Sequence, residues 1–346
     1  MEKFGKSQPV KRVEDVRFLT GQGRYIEDCA PKGSLRAWVL RSPVAHGLIS
    51  ELDLTDAREA EGVHLVLSHA DLAEAGINTL MDATVVKNRD GSDGASPERH
   101  MLARDRVRYV GEPVAVVIAE TLDQARDAGE MILLDIDDLP VKLDLFAGGE
   151  ALHEAAPDNR GFDWGMGDEA ATEAAFAEAA HRVALQVEDN RIIVNTMEPR
   201  GCFADWQDGR LHFSYGGQGV WGAKSQLAAK LGLAEEDVHV TTPDVGGGFG
   251  MKAMTYPEYF AVAHAARVLG RPVFWMSERT EAMLSDNGGR DLTSLAELAF
   301  DKDLKITAYR VTTRCNLGAY NSQFGQPIQT QLFSRVLAGV YDIQTA

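Results

Sequence analysis

The sequence predicts an α+β fold in two domains, and three observations carry that prediction. At 346 residues the chain exceeds the usual span of a single core. Val114 to Ala119 is an unbroken apolar run suited to a strand buried on both faces, whereas Leu35 to Arg41 alternates at period two and suits a half-buried one. In the second half, two strand, glycine loop, helix units follow one another, the first holding Gln218 and the second Phe249.

Taken in order, Gly5 to Phe18 is polar with little periodicity and reads as an arm that docks on another part of the molecule. Thr20 to Ile26 reads as a turn into a strand. Leu35–Arg41 is a strand, Ala57 to Gly62 a short helical piece and Val63–Leu67 another strand. His46 and His64 lie beside these apolar segments as ordinary structural histidines. From Thr79 to His100 the pattern dissolves into Asp, Asn, Gly, Ser and Pro, as in an exposed loop. Val107 to Pro113 reads as strand and turn, with Glu112 a turn carboxylate ahead of the buried run. Thr121 caps a helix reaching Met131, and Ile132–Ile136 is the next strand.

Residues 146–167 are rich in Gly, Ala, Asp and Pro and read as a linker. An alanine-rich helix from Glu169 to Ala180 follows, then a strand over Arg182–Glu188 and the turn Met197-Glu198-Pro199-Arg200-Gly201. A hairpin turns at Asp208-Gly209. Its second strand runs into Gly216-Gly217-Gln218-Gly219, ahead of a helix that Gly232 closes. His239 to Thr242 is a short strand, and Pro257 with Gly270 brackets a further helix, proline at its start and glycine past its end. Pro272 to Arg279 reads as a strand, Gly288 to Asp291 as a loop, and a strand pair flanks Asp301-Lys302-Asp303.

Between the His239–Thr242 strand and the helix that Pro257 opens lies Asp244-Val245-Gly246-Gly247-Gly248-Phe249-Gly250-Met251-Lys252, four glycines around one aromatic. Glycines at such a corner permit positive φ and let N–H groups face an electronegative ligand without a Cβ in the way. A phosphate-cradling loop needs glycine before the lysine, where Met251 stands. The dinucleotide fingerprint started at Gly246 needs glycine at the same Met251. Both readings fail. The neutral amide of Gln218 suits a polar ligand that is not formally anionic.

Composition narrows the class further. Apolar residues make up 45% and charged residues 25%, as in globular proteins, with no membrane-length apolar run. The start lacks a signal-peptide core, so the expected location is cytoplasmic. A net charge of −17 spread along the chain argues against nucleic-acid partners. The three cysteines and nine histidines are scattered without metal-ligand spacing, so a metal, if one is used, comes with a cofactor.

Eight stretches then give a resemblance: Gly21–Tyr25, Arg41–Pro43, Tyr109–Pro113, Met197–Arg200, Gln218, Asp244–Lys252, Gly289–Asp291 and Leu317–Tyr320. In this order and spread they are similar to the molybdenum-binding large subunit of the xanthine dehydrogenase, aldehyde oxidase and carbon monoxide dehydrogenase family. The resemblance implies an arm over 1–17, an α/β hammerhead domain over 18–145, the linker, and the first part of a molybdopterin-binding domain over 168–346. It implies that Gln218 hydrogen-bonds an oxygen on molybdenum and that Phe249 stands beside the metal centre. Gly217, Gly247, Gly248 and Gly250 would line the cofactor with backbone. The cofactor would be molybdopterin, in its cytosine dinucleotide form, with molybdenum held by the dithiolene and by no side chain. Electrons would leave through an iron–sulfur small subunit to a FAD-binding medium subunit.

Two departures from the family pattern bear on substrate. Ala253 stands where purine-oxidising members carry glutamate, which argues against xanthine, and Met251 replaces a common glycine as in carbon-monoxide-dehydrogenase-like members. The family's general-base glutamate and the cysteine loop of carbon monoxide dehydrogenases would both lie beyond Ala346. The expectation is therefore a truncated or split catalytic subunit, inactive without the rest, ending on a strand-like run over Val340–Ala346. The competing class is a non-catalytic binding or assembly half of such a subunit.

Overall fold

The computed structural model describes residues 9–146 and 149–346. Residues 1–8, at the head of the expected arm, and 147–148, in the expected linker, lie outside the described residues. The strands are β1 (Leu35–Arg41), β2 (Gly47–Asp53), β3 (Val63–Leu67), β4 (Arg106–Val107), β5 (Pro113–Ala119), β6 (Leu133–Asp138), β7 (His181–Asp189), β8 (Gly201–Gln207), β9 (Arg210–Tyr215), β10 (Val238–Thr241), β11 (Val273–Met276), β12 (Leu292–Phe300) and β13 (Ile306–Cys315). The α-helices are α1 (Asp15–Leu19), α2 (Ile26–Cys29), α3 (Thr55–Glu59), α4 (His69–Glu74), α5 (Leu122–Glu130), α6 (Glu169–Glu178), α7 (Trp221–Leu231), α8 (Pro257–Leu269), α9 (Arg279–Ser285) and α10 (Gly325–Pro327).

A seven-stranded mixed sheet in the order β10-β9-β8-β11-β1-β5-β3 organises the molecule. Its seam is the parallel pair β1 and β11, with Leu35 opposite Val273, so strands from both sides of the 146–167 stretch share one ladder. β5 is buried at every position, as its unbroken apolar run requires, and β1 alternates. The largest core likewise mixes the halves, packing Leu35, Val39, Val116 and Ile118 with Phe213, Tyr259, Phe260 and Trp275. A second apolar layer under α3 and α5 joins Val117 and Val66 to Ala125 and Ala128. Two three-stranded sheets, β4-β2-β6 and β13-β12-β7, flank the central one.

Local chemistry accounts for the element ends. Thr121 accepts Gln124 N–H and caps α5. α7 and α8 close on Gly232 and Gly270 at φ 63° and 58°, the left-handed stop that glycine supplies without a Cβ penalty. Asp208 and Gly209, both at positive φ, make the β8–β9 hairpin turn.

Four expectations are corrected. The strand placed over Pro272 to Arg279 stops at Met276, because Glu278 and Glu281 form a reciprocal capping box that starts α9. The strand expected after Thr20 gives way to α2, where the Asp28 carboxylate accepts Tyr25 N–H at 2.9 Å. The Thr79–His100 stretch is irregular but partly buried. The fully buried Gln326 accepts Val86 N–H at 3.0 Å and donates to Ala95 O at 2.8 Å, fastening that loop to the body. Val340–Ala346 forms no strand; its end is tied by Tyr309 N–H donating to Thr345 O and Asp168 N–H to Ala346 O.

Candidate functional site: two interlocked glycine loops

β9 and β10 are parallel neighbours, with His212 opposite His239, so the loops leaving their C-terminal ends emerge side by side. In open sheets that edge is where ligands bind. Gly216–Gly219 leaves β9 and the segment through Gly250 leaves β10. Two backbone N–H donors lock the pair: Gly217 N–H donates to the Thr242 side-chain Oγ1 at 3.3 Å, and Gln218 N–H donates to Lys252 O at 3.1 Å.

The Gln218 side chain completes the lock. Its Oε1 accepts Gly250 N–H at 2.8 Å, and because that partner is a donor it fixes which end of the amide is oxygen. Nε2 is left without a partner among the described residues, on an exposed side chain. A Cβ at Gly248 would stand 2.5 Å from Gln218 Oε1, so the close approach of the loops requires glycine there.

Phe249 sits at φ 51° between Gly247 at 97° and Gly250 at 87°. A bulky residue in the left-handed region is strained and persists only where its surroundings over-determine it. The turn presents the Phe249 ring to solvent, 79% exposed.

Beneath the loop, Glu198 joins three segments. Its Oε2 accepts Gly246 N–H and Lys252 Nζ, each at 2.9 Å, and its Oε1 accepts Ile26 N–H at 3.2 Å. Burial pulls the Lys252 pKa below the ordinary lysine value, against the hydrogen bond to Glu198 that supports its charge. At the head of the loop, Asp244 accepts both Arg17 nitrogens and Arg24 N–H, so the arm docks here. The Arg17 hydrogen bond, then that of Arg24, holds the Asp244 carboxyl below its usual range.

Behind these lies a buried ionic cluster. Arg200, fully buried, donates to Glu258 Oε2 at 3.0 Å and to Asp286, and stacks on the Tyr256 ring at 3.7 Å. Arg41 bridges Glu258 and Glu281. Burial alone would raise Glu258, but Arg200 and Arg41 outweigh it and hold the carboxyl down to about 2.

The structure thus brings Gly217, Gln218, Gly247, Gly248, Phe249 and Gly250 into one place. Asp291 and Leu317–Tyr320 belong elsewhere: Asp291 accepts from Arg191 and Asn316, and Tyr320 OH donates to Asn287. Glu112 is the buried turn carboxylate expected, accepting Arg108 N–H. Glu198, Lys252 and Asp244 were visible only as members of motifs. Their convergence depends on contacts between segments far apart in sequence.

The site is therefore a backbone cradle with one outward amide donor and one exposed aromatic, built for a ligand rather than a bare ion. Among the described residues no group of three or more His, Cys, Asp or Glu could hold a metal. Residues 152–346 match the family described as molybdopterin cofactor-binding domain, and residues 20–140 match the aldehyde oxidase and xanthine dehydrogenase a/b hammerhead domain. The large subunit of nicotine 6-hydroxylase from Paenarthrobacter nicotinovorans is 35% identical over 99% of this chain and 42% of its own length. The carbon monoxide dehydrogenase large chain of Hydrogenophaga pseudoflava is 31% identical over 96% of this chain and 42% of its own. Quinoline 2-oxidoreductase from Pseudomonas putida 86 superposes with a TM-score of 0.79 at 32% identity, covering 96% of this chain and 42% of that one. The chain belongs to the family of molybdenum-binding large subunits that includes xanthine dehydrogenase, aldehyde oxidase and carbon monoxide dehydrogenase. It spans about two fifths of the length of the curated relatives it matches.

Proposed function

We propose that the chain is part of the catalytic subunit of a molybdenum hydroxylase that oxidises an aldehyde, an N-heterocycle or a similar small molecule with water as oxygen source. The observation that carries this reading is the Gln218 amide, oriented by Gly250 N–H so that Nε2 is free to donate beside a strained glycine loop. The residues fit a pterin-held metal: positions for a Cβ on Gly219 and Gly250 meet nothing within 4 Å, leaving open backbone for a flat, polar group. The bound cofactor supplies the two-electron redox chemistry. The chain's own part is to bind and orient. Gln218 Nε2 would donate to the bound group, Gly217, Gly247, Gly248 and Gly250 would line it with backbone, and the Phe249 ring would stand beside the substrate.

The relatives named for nicotine and quinoline favour an N-heterocycle, and Ala253 next to the loop lysine favours something other than a purine. The cytosine dinucleotide form of the cofactor, iron–sulfur and FAD partner subunits and a cytoplasmic location complete the proposal. One relative is named as a subunit of a dehydrogenase complex, and no helix among the described residues is long and apolar enough to cross a membrane. Turnover is proposed to need residues outside these 346, since the relatives run to more than twice the length. Metal and pterin analysis of the chain, purified with whatever completes it, is the test. Molybdenum and pterin in near-stoichiometric amounts are expected. A folded assembly lacking both would sink the proposal and leave the non-catalytic half as the better reading.

A further inference from the structure

We infer that Glu198 is the positioning residue of the glycine loop: one carboxylate fastens both ends of the Gly247–Gly250 turn and so sets where Gly248, Phe249 and Gly250 stand. Positive φ falls at Gly247, Phe249 and Gly250, so the turn they make begins at Gly247 and ends at Gly250. Immediately before it Gly246 N–H meets Glu198 Oε2 at 2.9 Å, and two residues after it Lys252 Nζ meets the same oxygen at 2.9 Å. Glu198 N–H also donates to Gly246 O at 3.1 Å, so the first end is held at two points. There is no slack, because a Cβ on Gly246 would lie 2.4 Å from that of Glu198.

The clamp itself stands on a rigid base. Arg279 donates to Asn195 Oδ1 at 2.7 Å and to Met197 O at 2.9 Å, and Arg200 beyond Pro199 is fully buried. Stability alone does not account for the arrangement. The Lys252 and Glu198 side chains are 0% and 7% exposed, and a buried pair of this kind is commonly no more stabilising than apolar side chains of the same volume. Apolar side chains could not take the Gly246 and Ile26 N–H groups. A strained loop needs such over-determination to keep one conformation.

The inference rests on the proposed function only for what the loop touches, and hydrogen exchange in the assembled protein tests it without reference to activity. The variants are Glu198→Gln and the double variant Glu198→Gln with Lys252→Met. In Glu198→Gln one amide oxygen must serve three donors, so amides from Gly246 to Lys252 are expected to exchange about tenfold faster while those of β8 and β9 stay unchanged. The double variant removes the unpaired buried ammonium, so its melting temperature should recover while the loop still exchanges fast. Slow loop exchange in the double variant would overturn the inference, as would Glu198→Gln speeding β8 and β9 equally. If Glu198→Gln does not fold, the double variant alone decides: a fast loop supports the clamp and a slow one removes it. A wild-type assembly without molybdenum would defeat the functional reading and leave this measurement standing.

Discussion

Gln218 divides its amide between two tasks, the oxygen taken by Gly250 N–H and the nitrogen left to donate outward. Gln218→Ala is expected to lower turnover of the assembled enzyme by about 10²-fold, the usual loss when one preorganised donor is removed. Its melting temperature should barely move, because the side chain is exposed. Phe249→Ala should leave molybdenum content intact and raise KM. Steady-state kinetics beside metal analysis checks both, and equal loss of metal in the two variants would indicate folding damage instead. Both residues could be picked out from sequence because glycines bracket them, which marks a backbone that something approaches. Glu198 could not, since Met197-Glu198-Pro199-Arg200 reads as a turn and as a matching stretch, neither of which says what the carboxylate meets. A carboxylate's worth depends on which donors the fold delivers to it, here Ile26, Gly246 and Lys252 from three separate segments.

At the level of elements, the two loops work as one because they leave adjacent parallel strands and share hydrogen bonds. Gly248→Ala should therefore reproduce the turnover defect of Gln218→Ala without touching that residue, since the new Cβ would stand 2.5 Å from Gln218 Oε1 and push it aside. Because the displaced side chain is exposed and can swing aside, stability should fall little, to be read from denaturant unfolding. Turnover like wild type would show that the interlock is unimportant. Helices with both stop signals, such as α8 between Pro257 and Gly270, were legible in sequence. α9 was hidden because the apolar run Val273–Met276 reads as one strand continuing to Arg279, though Glu278 and Glu281 at capping-box spacing could have marked the helix start. The short α2 carries no periodicity at all, only the Tyr25 and Asp28 pairing that begins it.

Across the whole molecule, the ionic cluster ties the halves together: Arg41 on β1 meets Glu258 on α8 and Glu281 on α9, while Arg200 meets Glu258 and Asp286. Glu258 has its folded pKa held down to about 2 from an ordinary 4.5. The stability it contributes is thus fully present above about 4.5 and is lost as pH falls through about 2. Glu258→Gln should flatten the stability profile across that window and, by leaving two buried guanidiniums short of a partner, cost about 3–5 kcal/mol at neutral pH. Denaturant unfolding at a series of pH values reads both effects, and an unchanged acid slope would contradict the assignment. The shared sheet was the least legible feature, because nothing in Leu35–Arg41 or Val273–Met276 announces its partner. Its strand order also fixes a schedule. On the ribosome β1 is made early but can pair only with β5 and then wait, its other edge open, until Met276 has emerged. The nascent first half must carry that unpaired edge until most of the second half has been made, which exposes it during translation to mispairing and to chaperone capture.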